Sequence, residues 1–266
     1  CQFRSVADIR ADVSRLEPLR RFFAKFANLA DDDEWLRECY ASLFRTEPEH
    51  VAAVIADVLA VPEVVAANTL QDRWAMRLNE LYPGDRGVLC AYFMNIIHLD
   101  PGEAVFLAAN QPHSYLQGTI IECMASSDNV VRAGLTPKFI DTDTLLDMLT
   151  YDTSAPKIQL GSPGQGDRAG RVYRGTAPEF QVEIIELRPE ESKTVTSDDA
   201  VALMLVIEGD IKLAGGEFAK FANRGSAWLW PAALSDLKFQ AGAKGARVVR
   251  ARPNFSGVSA RPSAAL

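Results

Sequence analysis

Between residues 110 and 139 the chain reads NQPHSYLQGTIIECMASSDNVVRAGLTPKF, and it places His113, Tyr115, Glu122, Asp128, Arg132 and Lys138 within 26 residues. An imidazole can bind a metal or carry a proton. Carboxylates placed near a carbon-bound proton can remove it. A guanidinium and an ammonium can hold phosphate oxygens or a developing oxyanion. Together these groups could grip a phosphorylated polyhydroxy substrate. His113 is the one convincing metal ligand, and no partners for it stand out elsewhere. His50 sits among Ala and Val near a helix start and reads as structural, and His98 reads as a packing or solvent-facing residue.

The elements that must position this cluster change character along the chain. Residues 5–82 read as helices. Ser5 with Asp8 resembles a capping pair ahead of Val6, Ile9, Val13 and Leu16, which recur at helical spacing. Glu17-Pro18 breaks that pattern. Asp31-Asp32-Asp33 puts acids where a helix dipole favours them, a cap rather than a metal site. Pro48 and Pro62 fit first-turn positions of helices over 48–60 and 62–81, and Tyr82-Pro83-Gly84-Asp85 closes the last. From Val88 the apolar spacing turns β-like: VLCAYFMNIIHL, AVFLAA, SYLQG and TIIECMA read as strands, with Asp100-Pro101-Gly102-Glu103 as a turn. DTDTLLDMLTY (141–151) reads as a short capped helix. Residues 152–178, rich in Gly, Pro, Ser and Arg, read as a mobile connection, and the GSPGQGDRAG piece within it lacks the flanking strand and helix of a phosphate cradle. FQVEIIEL, AVALMLVIEGDIKLA, SAWLWPA, LKFQA and ARVVRARP then read as strands of a sandwich or barrel. The expected fold is mixed: a helical domain (1–82), part of a catalytic β module (83–151), a linker (152–178) and a second β-sandwich module (179–266).

Bulk properties narrow the function classes. The 266 residues suffice for a substantial core, and 48% hydrophobic with 24% charged residues is a globular composition. A net charge of −7 argues against nucleic acid or an anionic membrane surface as partner. No apolar run approaches the ~20 residues that span a bilayer. Cysteines 1, 39, 90 and 123 are scattered, which predicts reduced thiols and a cytoplasmic setting; Cys90 and Cys123 read as small apolar residues. The first residue is Cys1, and CQFRSVADI reads like the middle of a domain, so the expectation is a sequence that begins inside a longer reading frame. The residues do not fix an oligomeric state, and a monomer is compatible with them.

The run PGDRGVLCAYFMNIIHLDPGEAVFLAANQPHSYLQGTIIECMASSDNVVRAGLTPKFID closely resembles the type I phosphomannose isomerases, through PGEAVFLAANQPHSY, ECMASSDN and VRAGLTPKF. CQFR resembles that family's C-G-F-R-P, with Gln2 where Gly is usual, and VIEGDIKL with GSAWLWPA resembles its last β module. The resemblance implies helices with two cupin-like jelly-roll modules. It implies one zinc ion and interconversion of mannose 6-phosphate and fructose 6-phosphate, feeding GDP-mannose synthesis and glycosylation. The family holds zinc with a Gln-x-His pair, a Glu and the histidine that matches His113. The first three lie upstream of C-G-F-R, so they are expected before residue 1, and Gln111 is not promoted to a ligand.

Roles then follow from the chemistry of aldose–ketose exchange, which passes through an enediol or enediolate. Arg132 matches the family's catalytic arginine and suits either a phosphate oxygen or the enediolate. Asp128, four residues earlier, can orient Arg132 or act as base. Glu122 is the rival base, directed inward if Ile121 points outward. Lys138 is a phosphate contact, and Tyr115 shares a face with His113 by alternation. Standing alone, Asp128 and Arg132 would read as a solvated ion pair and Lys138 as a surface charge. The alternative from another class is a non-catalytic sugar-binding cupin that lacks its N-terminal metal ligands.

Overall fold

The computed structural model of the chain describes residues 1–127, 129–163, 170–197, 200–215, 218–234 and 236–254. It combines helices with antiparallel sheet. The chain forms two compact units: residues 1–98, 109–118 and 128–157 make the first, and residues 99–108, 119–127 and 158–266 the second.

In the first unit the helices are α1 (Val6–Arg15), α2 (Glu17–Phe22), α3 (Asp32–Arg45), α4 (Pro48–Leu59), α5 (Pro62–Val65), α6 (Leu70–Leu81) and α7 (Gly87–Cys90). Their starts are fixed locally. The Ser5 hydroxyl accepts the Asp8 amide at 3.1 Å, and the Asp31 carboxylate accepts that of Glu34 at 2.8 Å; each satisfies an amide with no partner inside the helix. Pro48 and Pro62 open α4 and α5. Helix α6 starts at a reciprocal box, in which the Thr69 hydroxyl accepts the Asp72 amide while the Asp72 carboxylate accepts the Thr69 amide, both at 3.1 Å. The span 62–81, expected as one helix, is therefore two.

The apolar faces meet in one core built on Phe3, Phe23, Leu36, Tyr40, Val58, Tyr92 and Phe93, all nearly inaccessible to water. Phe3 stacks on Tyr151 and meets Tyr40 edge-on. A polar chain runs alongside. Arg4 and Arg15 both pair with Asp12, and Arg15 also reaches the fully buried Asp72 at 2.7 Å, which accepts the Tyr92 hydroxyl at 3.0 Å. Gln2 adopts φ +53, the left-handed region that glycine favours. That fits a position where the resembled family usually has Gly.

Residues 88–99 correct the strand expectation. The stretch starts inside α7, continues as turns and makes a single bridge, Met94 to Phe3. Val88, Leu89, Tyr92 and Phe93 are buried at helical spacing. A short run that is apolar on all sides carries no period to separate helix from strand. SYLQG and TIIECMA form no strand either, and of AVFLAA only β1 (Ala104–Val105) does. Helix α8 (Thr142–Met148) stands where it was expected, with Asp141 accepting the Thr144 amide at 3.1 Å.

The second unit is antiparallel. Strand β1 pairs with β2 (Ile158–Gln159). The larger sheet contains β3 (Ser162–Pro163), β4 (Gly170–Arg174), β5 (Gln181–Leu187), β6 (Ser192–Val195), β7 (Ala202–Gly215), β8 (Phe218–Asn223), β9 (Ala227–Trp230) and β10 (Leu237–Arg252), in the order β3-β4-β5-β10-β7-β8 with β6 on β10 and β9 on β7. The stretch 152–178 is thus not a bare connection, since it supplies β2, β3 and β4; residues 164–169 of its glycine-rich piece lie outside the described residues. Strand β5 buries Gln181, Glu183, Ile185 and Leu187 by strict alternation. Inside this sheet Arg250 lies 3.6 Å from Glu183, and both are all but inaccessible to water. The register of β7 against β10 shifts between Ala241 and Ala246. There Gly209 and Gly245 both take positive φ, and a Cβ on Gly209 would lie 1.9 Å from the Gly245 carbonyl oxygen, so only glycine allows the approach.

Candidate functional site

His113 sits on a loop that the helical unit pins at two points. The Thr150 amide and hydroxyl donate to the Asn110 carbonyl at 3.0 and 3.1 Å, and the Gln2 amide donates to the Pro112 carbonyl at 2.9 Å. The His113 Nδ1 lies 3.0 Å from the Gln111 carbonyl oxygen. That carbonyl can only accept, so the proton belongs on Nδ1 and the lone pair on Nε2. This is the arrangement by which a backbone carbonyl orients a metal-binding imidazole. The ring is exposed and meets Tyr115 edge-on, with centroids 5.9 Å apart.

Arg132 belongs to a second segment of the same unit. Val131, Ala133 and Leu135 pack against the helical core, leaving Arg132 exposed between the first two. The segment ends in a turn with Gly134 at φ +122 and Leu135 at φ +53. The Leu135 amide donates to Asp85 Oδ1 at 2.9 Å, and the same oxygen accepts the Gly87 amide at 2.7 Å. Lys138 is exposed three residues beyond Leu135, with its amide on the Thr136 hydroxyl at 3.2 Å. Glu122 is also exposed, within residues 119–127 of the second unit. Asp128 lies outside the described residues. His113 and Tyr115 are therefore brought together, and Arg132 and Lys138 share one segment.

Among the described residues no three of His, Cys, Asp and Glu gather so as to hold a metal ion. His113 has the orientation of a ligand, but one imidazole does not make a zinc site, which needs three or four donors. Asp85 is the residue that sequence reasoning passed over. Its only local signal was the turn Pro83-Gly84-Asp85-Arg86-Gly87.

Helices joined to an antiparallel sheet, with an exposed imidazole and guanidinium on anchored loops, make the chain similar to a class of solved structures. The crystal structure of mannose 6-phosphate isomerase from Salmonella typhimurium bound to its substrate fructose 6-phosphate and a zinc atom aligns over 95% of this chain and 62% of that one, with a TM-score of 0.78 and 25% identity. No family model matches the chain. Curated relatives do: mannose-6-phosphate isomerase of Macaca fascicularis is 39% identical over 184 residues, 66% of this chain and 44% of the relative. That of Cryptococcus neoformans is 39% identical over 192 residues, 68% and 43%. A probable mannose-6-phosphate isomerase of Dictyostelium discoideum is 36% identical over 220 residues, 80% and 48%. The chain belongs to the type I phosphomannose isomerase family. It spans about half the length of the curated relatives it matches.

Proposed function

We propose that the protein of which this chain forms part is a zinc-dependent aldose–ketose isomerase interconverting mannose 6-phosphate and fructose 6-phosphate. The observation that carries this reading is the backbone agreement, over nearly the whole chain, with an isomerase structure that holds fructose 6-phosphate and zinc. On this reading the sugar phosphate is the partner, the location is cytoplasmic and the product supplies GDP-mannose synthesis. The described residues contain no helix long and apolar enough to cross a membrane. The larger sheet would be the C-terminal cupin-type jelly roll, expected over 179–266 and extended backwards by β3 and β4. Residues 83–151 would be part of the catalytic one, preceded by the helical domain (1–82). The exposed Tyr115, Ile120, Ile121, Met124 and Phe139 support this, because a β module short of strands leaves apolar side chains uncovered.

Each residue then has a task. Proton transfer between neighbouring carbons needs a base at the carbon-bound proton, and Glu122 and Asp128 are the candidates. As charge develops on the sugar oxygen, a guanidinium already in place stabilises it without reorganisation, and Arg132 supplies that or a phosphate contact. Lys138 would hold phosphate, and Tyr115 would border the sugar beside His113. His113 would be this chain's zinc ligand, with the remaining Gln-x-His and Glu expected before residue 1. Bound zinc would supply Lewis-acid polarisation.

The test is to express the full reading frame containing this chain and measure zinc content and fructose 6-phosphate turnover. About one zinc per chain and isomerase activity are expected. Arg132→Ala should lower kcat/KM by about 10²–10³-fold, the cost of removing one preorganised charge-stabilising donor; a near-normal rate would remove Arg132 from the site. The alternative reading is a non-catalytic sugar-binding protein that lacks the N-terminal metal ligands. It predicts sugar-phosphate binding without turnover.

A further inference from the structure

We propose that Asp85 is a positioning residue. Its carboxylate holds the Gly134–Leu135 turn in the conformation that aims Arg132, and what Arg132 then does rests on the isomerase reading. The carboxylate itself stands on a fixed base: the Asp85 amide donates to the Tyr82 carbonyl at 3.1 Å and the Asp85 carbonyl accepts the Val88 amide at 2.9 Å. From there one oxygen serves two amides, Gly87 two residues on and Leu135 fifty residues on. The first bond alone is an ordinary Asx turn at the start of α7. The second does nothing for α7 and ties a distant segment to it.

That segment needs holding. Leu135 is a non-glycine residue at φ +53, a conformation that persists only where its surroundings impose it and that gathers at functional sites. Gly134 and Gly87 make the junction tight enough for the bond to form. A Cβ on Gly134 would lie 2.9 Å from Asp85 Oδ1 and 3.0 Å from the Gly87 Cα, and one on Gly87 would lie 2.7 Å from the Leu135 Cγ. From this clamp back to Val131, inward packing of Leu135, Ala133 and Val131 leaves Arg132 no choice of side. Release of the Leu135 amide would let the turn relax and carry Arg132 off its line, so that Asp85 would act through Arg132.

Asp85→Ala in the full-length protein should lower kcat on fructose 6-phosphate by about tenfold to a hundredfold, the range expected when a catalytic group is displaced by an ångström. Asp85→Asn, whose side-chain carbonyl can accept both amides, should recover most of that loss. Amide hydrogen exchange provides a readout that a general loss of stability would not reproduce. In the wild type the Gly87 and Leu135 amides should be protected together, and in Asp85→Ala both should exchange faster while the amides of α3 and α4 do not. If Asp85→Ala does not fold, the wild-type exchange decides. Exchange of Leu135 at the rate of an unstructured peptide, or an Asp85→Ala enzyme within twofold of wild-type kcat, overturns the proposal. A wild-type protein with no isomerase activity would strike down the proposed function instead, leaving the clamp to be judged by exchange alone.

Discussion

A single carboxylate, Asp72, shows how this chain handles buried charge. It has no exposed surface, yet it accepts hydrogen bonds from Arg15, Tyr92 and the Thr69 amide. Burial pushes its acidity down, but the hydrogen bonds from Arg15 and Thr69, the Arg15 charge and the Tyr92 hydroxyl outweigh burial and hold the carboxyl below its ordinary range. A depressed folded-state value means the stabilisation is present above the unfolded-state value, about 3.9 for Asp. It is lost as pH falls through the folded-state value. Denaturant unfolding should therefore show stability falling below about pH 4. Asp72→Asn should cost about 1.5–3 kcal/mol at neutral pH, the range for losing hydrogen bonds to a charged group, since Arg15 keeps Asp12 as its other partner. Its acid limb should also be flatter than the wild type's. Parallel curves for the two proteins would show that Asp72 is not the group responsible.

At the scale of elements, the box at the start of α6 is a local device with a local test. Thr69→Ala removes the acceptor for one terminal amide and should destabilise the protein by about 1 kcal/mol, read from the denaturation midpoint; no change would mean water replaces the hydroxyl fully. Devices of this kind are legible in a sequence because all their parts lie within four residues. Ser5 with Asp8, the Asp31-Asp32-Asp33 run, Pro48 and Pro62 mark helix starts where the structure has them, whereas the Thr69–Asp72 box was passed over and 62–81 read as one helix. The errors have a common cause as well. VLCAYFMNIIHL is apolar on every side, so burial against other helices gave it no period. In TIIECMA the composition is β-like, but Ile120, Ile121 and Met124 are exposed with no partner strand among the described residues, and β preference is largely a preference for packing against neighbours. His113 and Arg132 were picked out by residue type and by the family resemblance, and the structure places them on two separately anchored segments. The Asp85 clamp was not, since its two halves are fifty residues apart and only the fold joins them.

For the molecule as a whole, the organising strand of the larger sheet is β10. It pairs with β5 along one edge, continued by β6, and with β7 along the other. Phe239 and Val248 from β10 are fully buried in that unit's core, with Val206, Ile211 and Leu213 of β7. A chain ended after residue 236 should lose the sheet cooperatively, with β-type circular dichroism falling and proteolysis opening residues 170–236; a protease-resistant fragment over that range would refute the central role of β10. The same arrangement constrains how the protein is born. Ribosomes release β5, β6 and β7 before their shared neighbour exists, so until β10 emerges these strands present unsatisfied edges. The unit can close only once β10 (Leu237–Arg252) has been made, so its earlier strands must wait for their last partner.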